Sequence, residues 1–551
     1  MNTLISLQKR GWLLGPILGA TTFFILFGGK ILQPTNVGWL MYQNDPATHF
    51  LGWHFFRNEP WHLPLGLNWG YGMEMGSSIV YTDSIPLLAL IFKPFSDYLP
   101  TLFQYTGLWI FICFALQGTF GWLLIEKITP NKILQLFSTL FFIFSPPLLH
   151  RLYGHYALVA HWLILASLLL YFSHYRSHRV LWIGLLVLAS LIHAYLLAML
   201  MAIWIADLSK RILTREINIH HTFVTILLTL LIMALTMWQA GYFVTHSGFN
   251  SGGFGLYRMH LLSPVDPDRI WSHWLRDIPQ GKGDYEGFNY LGLGIIILGF
   301  VSIYELIRSP FQNLDWRVLA PLVIACVALT FYSLSNHIAF GNKEILNFDL
   351  PSPVLALFQS FRGSGRFFWP VFYVIFLAIF YIIISRNTQK VAIYLIGMAL
   401  LIQLADSSEG WRFYRNKFRD VTHGWTLPFK SKFWELAASK YQKVLFVLPE
   451  NIAPYYAPFS FFAASNKMTI NIGYFASVDP EKVNSMRSDI INSLQAGKFD
   501  QSALYVFNDR SLWLNSQSLL SDKDKSAEVD GFLIVAPGWL DCHDCQAVTL
   551  K

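Results

Sequence analysis

The chain has 551 residues, of which 54% are hydrophobic, 17% aromatic and only 13% charged, with a net charge of +7. About a quarter of the residues of a soluble domain are charged, so this composition, with a mean hydropathy of +0.42, excludes an ordinary soluble protein and requires a polytopic α-helical membrane protein. The basic excess is what the cytoplasmic anchors of such a protein supply, and it gives no ground for a nucleic-acid partner.

Runs of about 18 or more apolar residues mark helices able to cross a bilayer core of roughly 30 Å. About eleven candidates follow in chain order: Trp12 to Gly28, Thr101 to Ile125, Ile133 to Leu149, Tyr156 to Phe172, Val180 to His193, Tyr195 to Ala206, Thr222 to Gln239, Tyr290 to Ile307, Val318 to Leu334, Phe368 to Ser385 and Val391 to Ala405. The fifth and sixth are short and could form one hairpin. No A-x-A cleavage site follows the first, which reads as an uncleaved helix. A cytoplasmic N-terminus puts Lys9, Arg10, Lys127, Lys132, Arg176, Arg179, Lys210, Arg211, Arg215, Arg308, Arg317, Arg386 and Lys390 inside, as the positive-inside rule requires. The long loops 30–100, 241–288 and 335–366 and the tail 406–551 then face outward. The expected organisation is a membrane domain over 1–405 and an extracytoplasmic domain over 406–551, in a bacterial inner membrane with the tail periplasmic.

The first long loop holds the densest candidate chemistry. Asp45 to Phe56 has an interfacial-helix pattern, with Asp45 at its start just before Pro46, a favoured first helical residue. A carboxylate there is kept ionised by the helix N-terminus; it serves either as a general base or as a cap. His49 follows on the same segment and Arg57 closes it. Glu74 and Asp83 lie further on, the latter entering Ile85 to Phe92, an apolar run too short to span. Asp45, Glu74 and Asp83 are the candidate ligands if a divalent cation, Mg or Mn, takes part.

Two later segments carry cations against the topological bias. His150, Arg151 and His155 cluster at one turn, and Arg362 and Arg366 flank Gly363-Ser364-Gly365 at the mouth of a span. Guanidinium forks at such a mouth suit a lipid-linked phosphate, or else anchor to headgroups. In the tail, Lys443 to Leu448, Met468 to Gly473, Ala503 to Phe507 and Gly531 to Ala536 read as strands, and Ser431 to Lys440, Pro480 to Ala496 and Ser511 to Leu520 as helices. This alternation predicts a small α/β domain with a largely parallel sheet. Cys542 and Cys545 suit a local disulfide ahead of a free dithiol or half of a metal site.

Asn44 to Trp53, Ser77 to Pro86 and Phe361 to Pro370 are similar to the bacterial membrane family DUF6311. The wider plan, a first helix, a loop opening on an Asp, many spans and an outer α/β tail, resembles the GT-C class of glycosyltransferases. That resemblance implies an inverting transfer of sugar from a polyprenyl-phosphate donor to a glycan, lipid or protein acceptor. Asp45 would be the base, Arg362, Arg366 and Arg151 the donor-phosphate contacts, and Glu74, Asp83, His49, His150, His155 and Arg57 supporting residues, with membrane lipids as surroundings. The rival readings are a lipid-linked glycan flippase, which should carry intramembrane charges on several spans, and an assembly scaffold, which should tolerate loss of Asp45.

Overall fold

The computed structural model describes residues 11–41, 44–175, 177–244, 253–310, 314–419 and 425–542. Two compact units divide the chain. The first comprises Met1–Gln33, Gly107–Thr236 and Phe249–Asp420; the second comprises Pro34–Thr106, Met237–Gly248 and Val421–Lys551.

Each of the eleven apolar runs contains a helix, but among the described residues only six helices are long and apolar enough to cross a membrane. These are Thr106–Glu126, Lys132–Tyr153, Ile219–Ala240, Trp316–Leu334, Ser364–Arg386 and Gln389–Asp406. The expectation of eleven spans is therefore not supported: six candidates remain among the described residues. The reason is length and charge. Leu14–Phe27 has 14 residues, which at 1.5 Å per residue reach only about 21 Å. Trp162–Tyr171 and His178–Ser190 are shorter still, at 10 and 13 residues, and Leu293–Arg308 has 16. Ala194–Leu213 is 20 residues long but carries Asp207, Lys210 and Arg211 in its last two turns.

Within the first unit, Leu14–Phe27 meets Thr106–Glu126 at glycines. A Cβ at Gly19 would lie 1.9 Å from the Phe114 carbonyl oxygen, and one at Gly118 would lie 2.2 Å from that of Gly15. Gly15 and Gly19 form a small-xxx-small stripe, which lets two backbones approach where lipid gives no hydrophobic drive to association. The first unit also holds an antiparallel hairpin of β1 (His337–Phe340) and β2 (Lys343–Asn347).

In the second unit, β3 (Lys443–Phe446), β4 (Thr469–Ile470), β5 (Ala503–Phe507), β6 (Lys525–Val529) and β7 (Phe532–Ala536) form one sheet in the order β4-β3-β5-β7-β6. The four expected strands are all present. The sheet, however, is mixed: β3 is parallel to β4 and β5, whereas β7 is antiparallel to both β5 and β6. Asp530 and Gly531 account for the antiparallel pairing of β6 with β7. Both have positive φ, 50° and 83°, the conformation of a tight two-residue hairpin, so β6 and β7 must run in opposite directions. One face of the sheet packs Val447, Tyr505, Phe507 and Val535 against Leu494 and Trp513.

The segment Pro34–Thr106 folds onto this sheet. Gly72 N–H donates to the Ile470 carbonyl (2.8 Å) and Ile470 N–H to that of Gly70 (3.0 Å), so the loop covers the free edge of β4. Helix Asn44–Phe56 packs beside it, with Phe55 stacked on Tyr71 at 4.6 Å and Phe50 meeting Phe461 at 6.2 Å. The apolar run after Asp83 forms the short helix Pro86–Phe92.

The glycine stripe is open to a direct check. Gly19→Leu should remove the folded, monodisperse peak in detergent size-exclusion chromatography. Gly184→Ala, whose added methyl meets nothing within 4 Å, should change stability by no more than about 0.5 kcal/mol. Normal elution of Gly19→Leu would mean that the two helices are not in backbone contact.

Candidate functional site

The first unit gathers three segments around one carboxylate. The turn at Arg151 ends the helix Lys132–Tyr153, the 3-10 turn Asp284–Gly287 belongs to a long loop, and the 3-10 turn Ser364–Phe368 opens the helix that follows. Arg151 Nη1 donates to Glu286 Oε2 at 2.8 Å, and Arg366 donates to the same oxygen through Nε (3.0 Å) and Nη2 (2.8 Å). His155 Nε2 stands 3.7 Å from Glu286 Oε1. All three charged groups are buried, at 2%, 8% and 9% exposure for Arg151, Arg366 and Glu286. Burial alone would raise the Glu286 carboxyl, but Arg366 and Arg151, with His155, outweigh it and hold the group well below its ordinary range.

Aromatic rings complete this cluster. The Arg366 guanidinium lies 4.8 Å from the Tyr195 ring centre and that of Arg151 lies 5.6 Å from Trp369, distances at which a ring face attracts a cation. The His150 ring packs on Phe288 at 4.8 Å. Exposed Arg362 sits over the Tyr257 ring at 4.5 Å and donates to its hydroxyl (2.5 Å), at the rim of the cluster. Two guanidinium groups thus share one carboxylate. The buried Nε of Arg151 and Nε1 of Trp369 have no hydrogen-bond partner, so donor capacity is left over.

The second unit holds the other candidates. Asp45 is in the first turn of Asn44–Phe56 and half-buried, in electrostatic reach of Tyr456, whose hydroxyl Thr48 engages. His49 is buried, and its Nδ1 donates to the Asp83 carbonyl at 2.5 Å. Asp83 and Ile85 both have positive φ, 51° and 53°. For a β-branched residue such as Ile85 that is strained backbone. Hydrogen bonds hold it there: Ser84 Oγ donates to the His49 carbonyl (2.7 Å) and meets Thr82 Oγ1 (2.8 Å), and Tyr105 donates to the Ser84 carbonyl. Gly52 permits the approach, since a Cβ there would lie 2.1 Å from Thr82 Oγ1.

Two candidates have other roles. Arg57 donates to the carbonyls of Ser96, Pro100 and Thr101 at 2.8–2.9 Å and so closes the loop in which it lies. Glu74 is exposed and lines a separate cavity. Among the described residues no group of three or more His, Cys, Asp or Glu is placed to hold a metal ion; Asp45, Glu74 and Asp83, the candidates if a cation takes part, are not gathered into such a group. Their elements explain it: Asp83 turns a strained corner and Glu74 faces another cavity. Cys542 is disulfide-bonded, Cys113 and Cys326 are free thiols, and Cys545 lies outside the described residues.

Residues 16–408 match the family model described as "Domain of unknown function (DUF6311)", and residues 433–537 match the one described as "DUF6311 C-terminal domain". The chain belongs to the DUF6311 family. No curated protein matches it. In this DUF6311 protein both groups of candidate residues fall inside the longer match.

Sequence patterns nominated Arg151, His155 and Arg366, which converge, but not Glu286, on which they converge. Its only signal in the sequence is an acid in a long loop that also carries lone basic residues. Glu286→Gln should destabilise the fold by about 3–5 kcal/mol, because two buried guanidinium groups lose their counter-charge. The carboxyl is held below its ordinary value of 4.5, so its contribution is complete above that pH and is lost as pH falls further. Thermal unfolding between pH 7 and pH 3 should therefore show a steeper acid loss in the wild type than in Glu286→Gln. Equal slopes would mean that Glu286 carries no coupled charge.

Proposed function

We propose that this protein is an integral-membrane glycosyltransferase that moves a sugar from a polyprenyl-phosphate-linked donor to a cell-envelope glycan, lipid or protein acceptor on the outer face of a bacterial inner membrane. The observation that carries this reading is the pair Arg151 and Arg366 held on the single carboxylate of Glu286 at the mouths of two apolar helices. Two guanidinium charges against one carboxylate leave a positive excess, and the unspent Arg151 Nε is a donor for a further anion. A phosphate carried on an apolar chain meets both demands: oxygens for the forks and a lipid tail beside the helices.

The chemistry is a displacement at the anomeric carbon. The acceptor oxygen forms a bond to that carbon as the carbon–oxygen bond to the polyprenyl phosphate breaks, and inversion follows from in-line attack. Asp45, a carboxylate in the first turn of its helix, is proposed by itself as the base for an acceptor hydroxyl. Arg151 and Arg366 stabilise the negative charge that grows on the departing phosphate, in a partly dehydrated environment where fixed donors act strongly. Arg362, exposed over Tyr257, meets the phosphate at the rim. His49, anchored on the strained Asp83 turn, orients the acceptor side.

Asp45→Asn keeps volume and most hydrogen bonding but removes the base, so transfer should fall by about 10²- to 10⁴-fold with folding intact. Arg366→Lys should retain only part of the donor affinity, since a point charge cannot reproduce the fork. The measurement is incorporation of radiolabelled sugar from a polyprenyl-phosphate pool into envelope glycan at matched expression. Full activity in Asp45→Asn would sink the base assignment and favour a flippase or a scaffold.

A further inference from the structure

The second unit contains a cavity of about 460 Å³, inside the roughly 300–1,000 Å³ range of small-molecule sites. Trp69 and Asn58 line it together with two acids, Glu59 and Glu74, and two bases, Lys443 and Lys467. Trp69 is 44% exposed, so its indole offers an open apolar face. Glu59 is committed to the fold: its Oε2 accepts from Gly70 N–H at 2.9 Å and its Oε1 faces His62 at 3.2 Å. Lys443 reaches Asp500 at 2.9 Å. The Glu74 and Lys467 side chains, by contrast, make no hydrogen bond or ion pair with any described residue. Thr469 Oγ1, also in the lining, is buried without a partner.

Backbone strain gathers at the same place. Met73 and Lys467 both line the cavity and both have positive φ, 47° and 56°. For non-glycine residues this conformation is costly and persists where surrounding structure enforces it, commonly at ligand sites.

We infer that this cavity binds a saccharide. A sugar ring carries an apolar face, which suits Trp69, and a rim of hydroxyls, each of which donates and accepts. Only a lining with both acceptors and donors satisfies such groups: Glu74 accepts, Lys467 donates, and the Asn58 amide and Thr469 hydroxyl do both. The paired signs leave no strong net charge, which argues against a phosphate or a polyanion as occupant. An extended peptide would need free backbone on a sheet edge. The adjacent edge of β4 is already occupied, because Ile470 pairs with Gly70 and Gly72. That the bound saccharide is the acceptor of the transfer rests on the transferase reading; that the cavity binds saccharide does not.

The test is isothermal titration of the full-length protein in detergent with the neutral oligosaccharides maltotetraose, chitotetraose and cellotetraose as probes. At least one should bind, Trp69→Ala should weaken it about tenfold, Trp69→Phe should restore most of the affinity, and Glu74→Gln should weaken it without changing the unfolding temperature. Both side chains are exposed enough for the variants to fold. Asp45→Asn should bind the same probe as the wild type, which separates this inference from the base assignment: lost transfer with retained binding supports both, and retained transfer with retained binding sinks only the base. No binding of any probe, an unchanged Kd in Trp69→Ala, or displacement of the bound probe by tetra-alanine overturns the saccharide site.

Discussion

The constraint on which the first unit depends is the burial of two guanidinium groups on one carboxylate. Removing Arg151, Arg366 and Glu286 from water is expensive, and only close geometry returns the cost. Glu286 Oε2 receives three donors within 3.0 Å, so the three segments that deliver them have little freedom. The turn at Arg151, the loop at Glu286 and the helix entrance at Arg366 are fixed together, though they are 135 and 80 residues apart. A cluster built for stability alone would match its charges or be apolar. This one places two guanidinium groups on one carboxylate and leaves the buried Arg151 Nε without a hydrogen-bond partner, which is what supports the proposal that it binds an anion.

Carboxylates organise the rest of the loop that carries Glu286. Asp406 Oδ1, at the end of Gln389–Asp406, accepts from the Ser272 hydroxyl at 2.6 Å and from His273 N–H at 3.0 Å, while its Oδ2 accepts from Tyr290 at 3.0 Å. Asp266 Oδ1 accepts from Ile278 N–H at 3.1 Å, and Asp284 Oδ2 from Gly281 N–H at 2.8 Å. An irregular segment has no ladder of its own, so buried polar backbone must find side chains instead. Here acids supply them, and the turn Asp284–Gly287 is held to the accuracy that the arginine pair requires.

How much of this was legible in the sequence follows from which interactions are local. Apolar runs gave the helices, because periodicity and composition are local properties; they gave too many spans, because a run's length is not the length of the helix inside it. The strands of the tail were legible as short Val-, Ile- and Phe-rich runs. β6, Lys525–Val529, was not, since its lysine and glutamate mask the alternation. Helix Tyr456–Ser465 was also missed: Pro454 and Pro458 suggest a loop, yet Pro458 falls in the first turn, where its missing N–H costs nothing. Arg151 and Arg366 stood out as cations out of place. Their meeting at Glu286 is a long-range contact with no periodic signature, as is the Asp83 turn under His49.

The two family matches divide the chain at residues 408 and 433, but the contacts divide it differently. Pro34–Thr106 belongs with the tail, and the tail holds the helix that bears Asp45. Phe50 meets Phe461, His54 Nε2 meets Ser465 Oγ at 3.1 Å, and Tyr71 packs on Phe475 at 4.8 Å. Burial, aided by Arg57, pushes the His54 imidazole down to about 3, so it stays neutral and serves as packing. The dependence runs both ways, because without Gly70 and Gly72 the edge of β4 would be an open template for aggregation. A tail that merely covered a finished membrane domain would have closed its own edge. This one borrows backbone from the loop that carries the acidic helix, so the position of Asp45 is set by residues some four hundred places further along the chain, such as Phe461 and Ser465, which lie 411 and 411 places after Phe50 and His54.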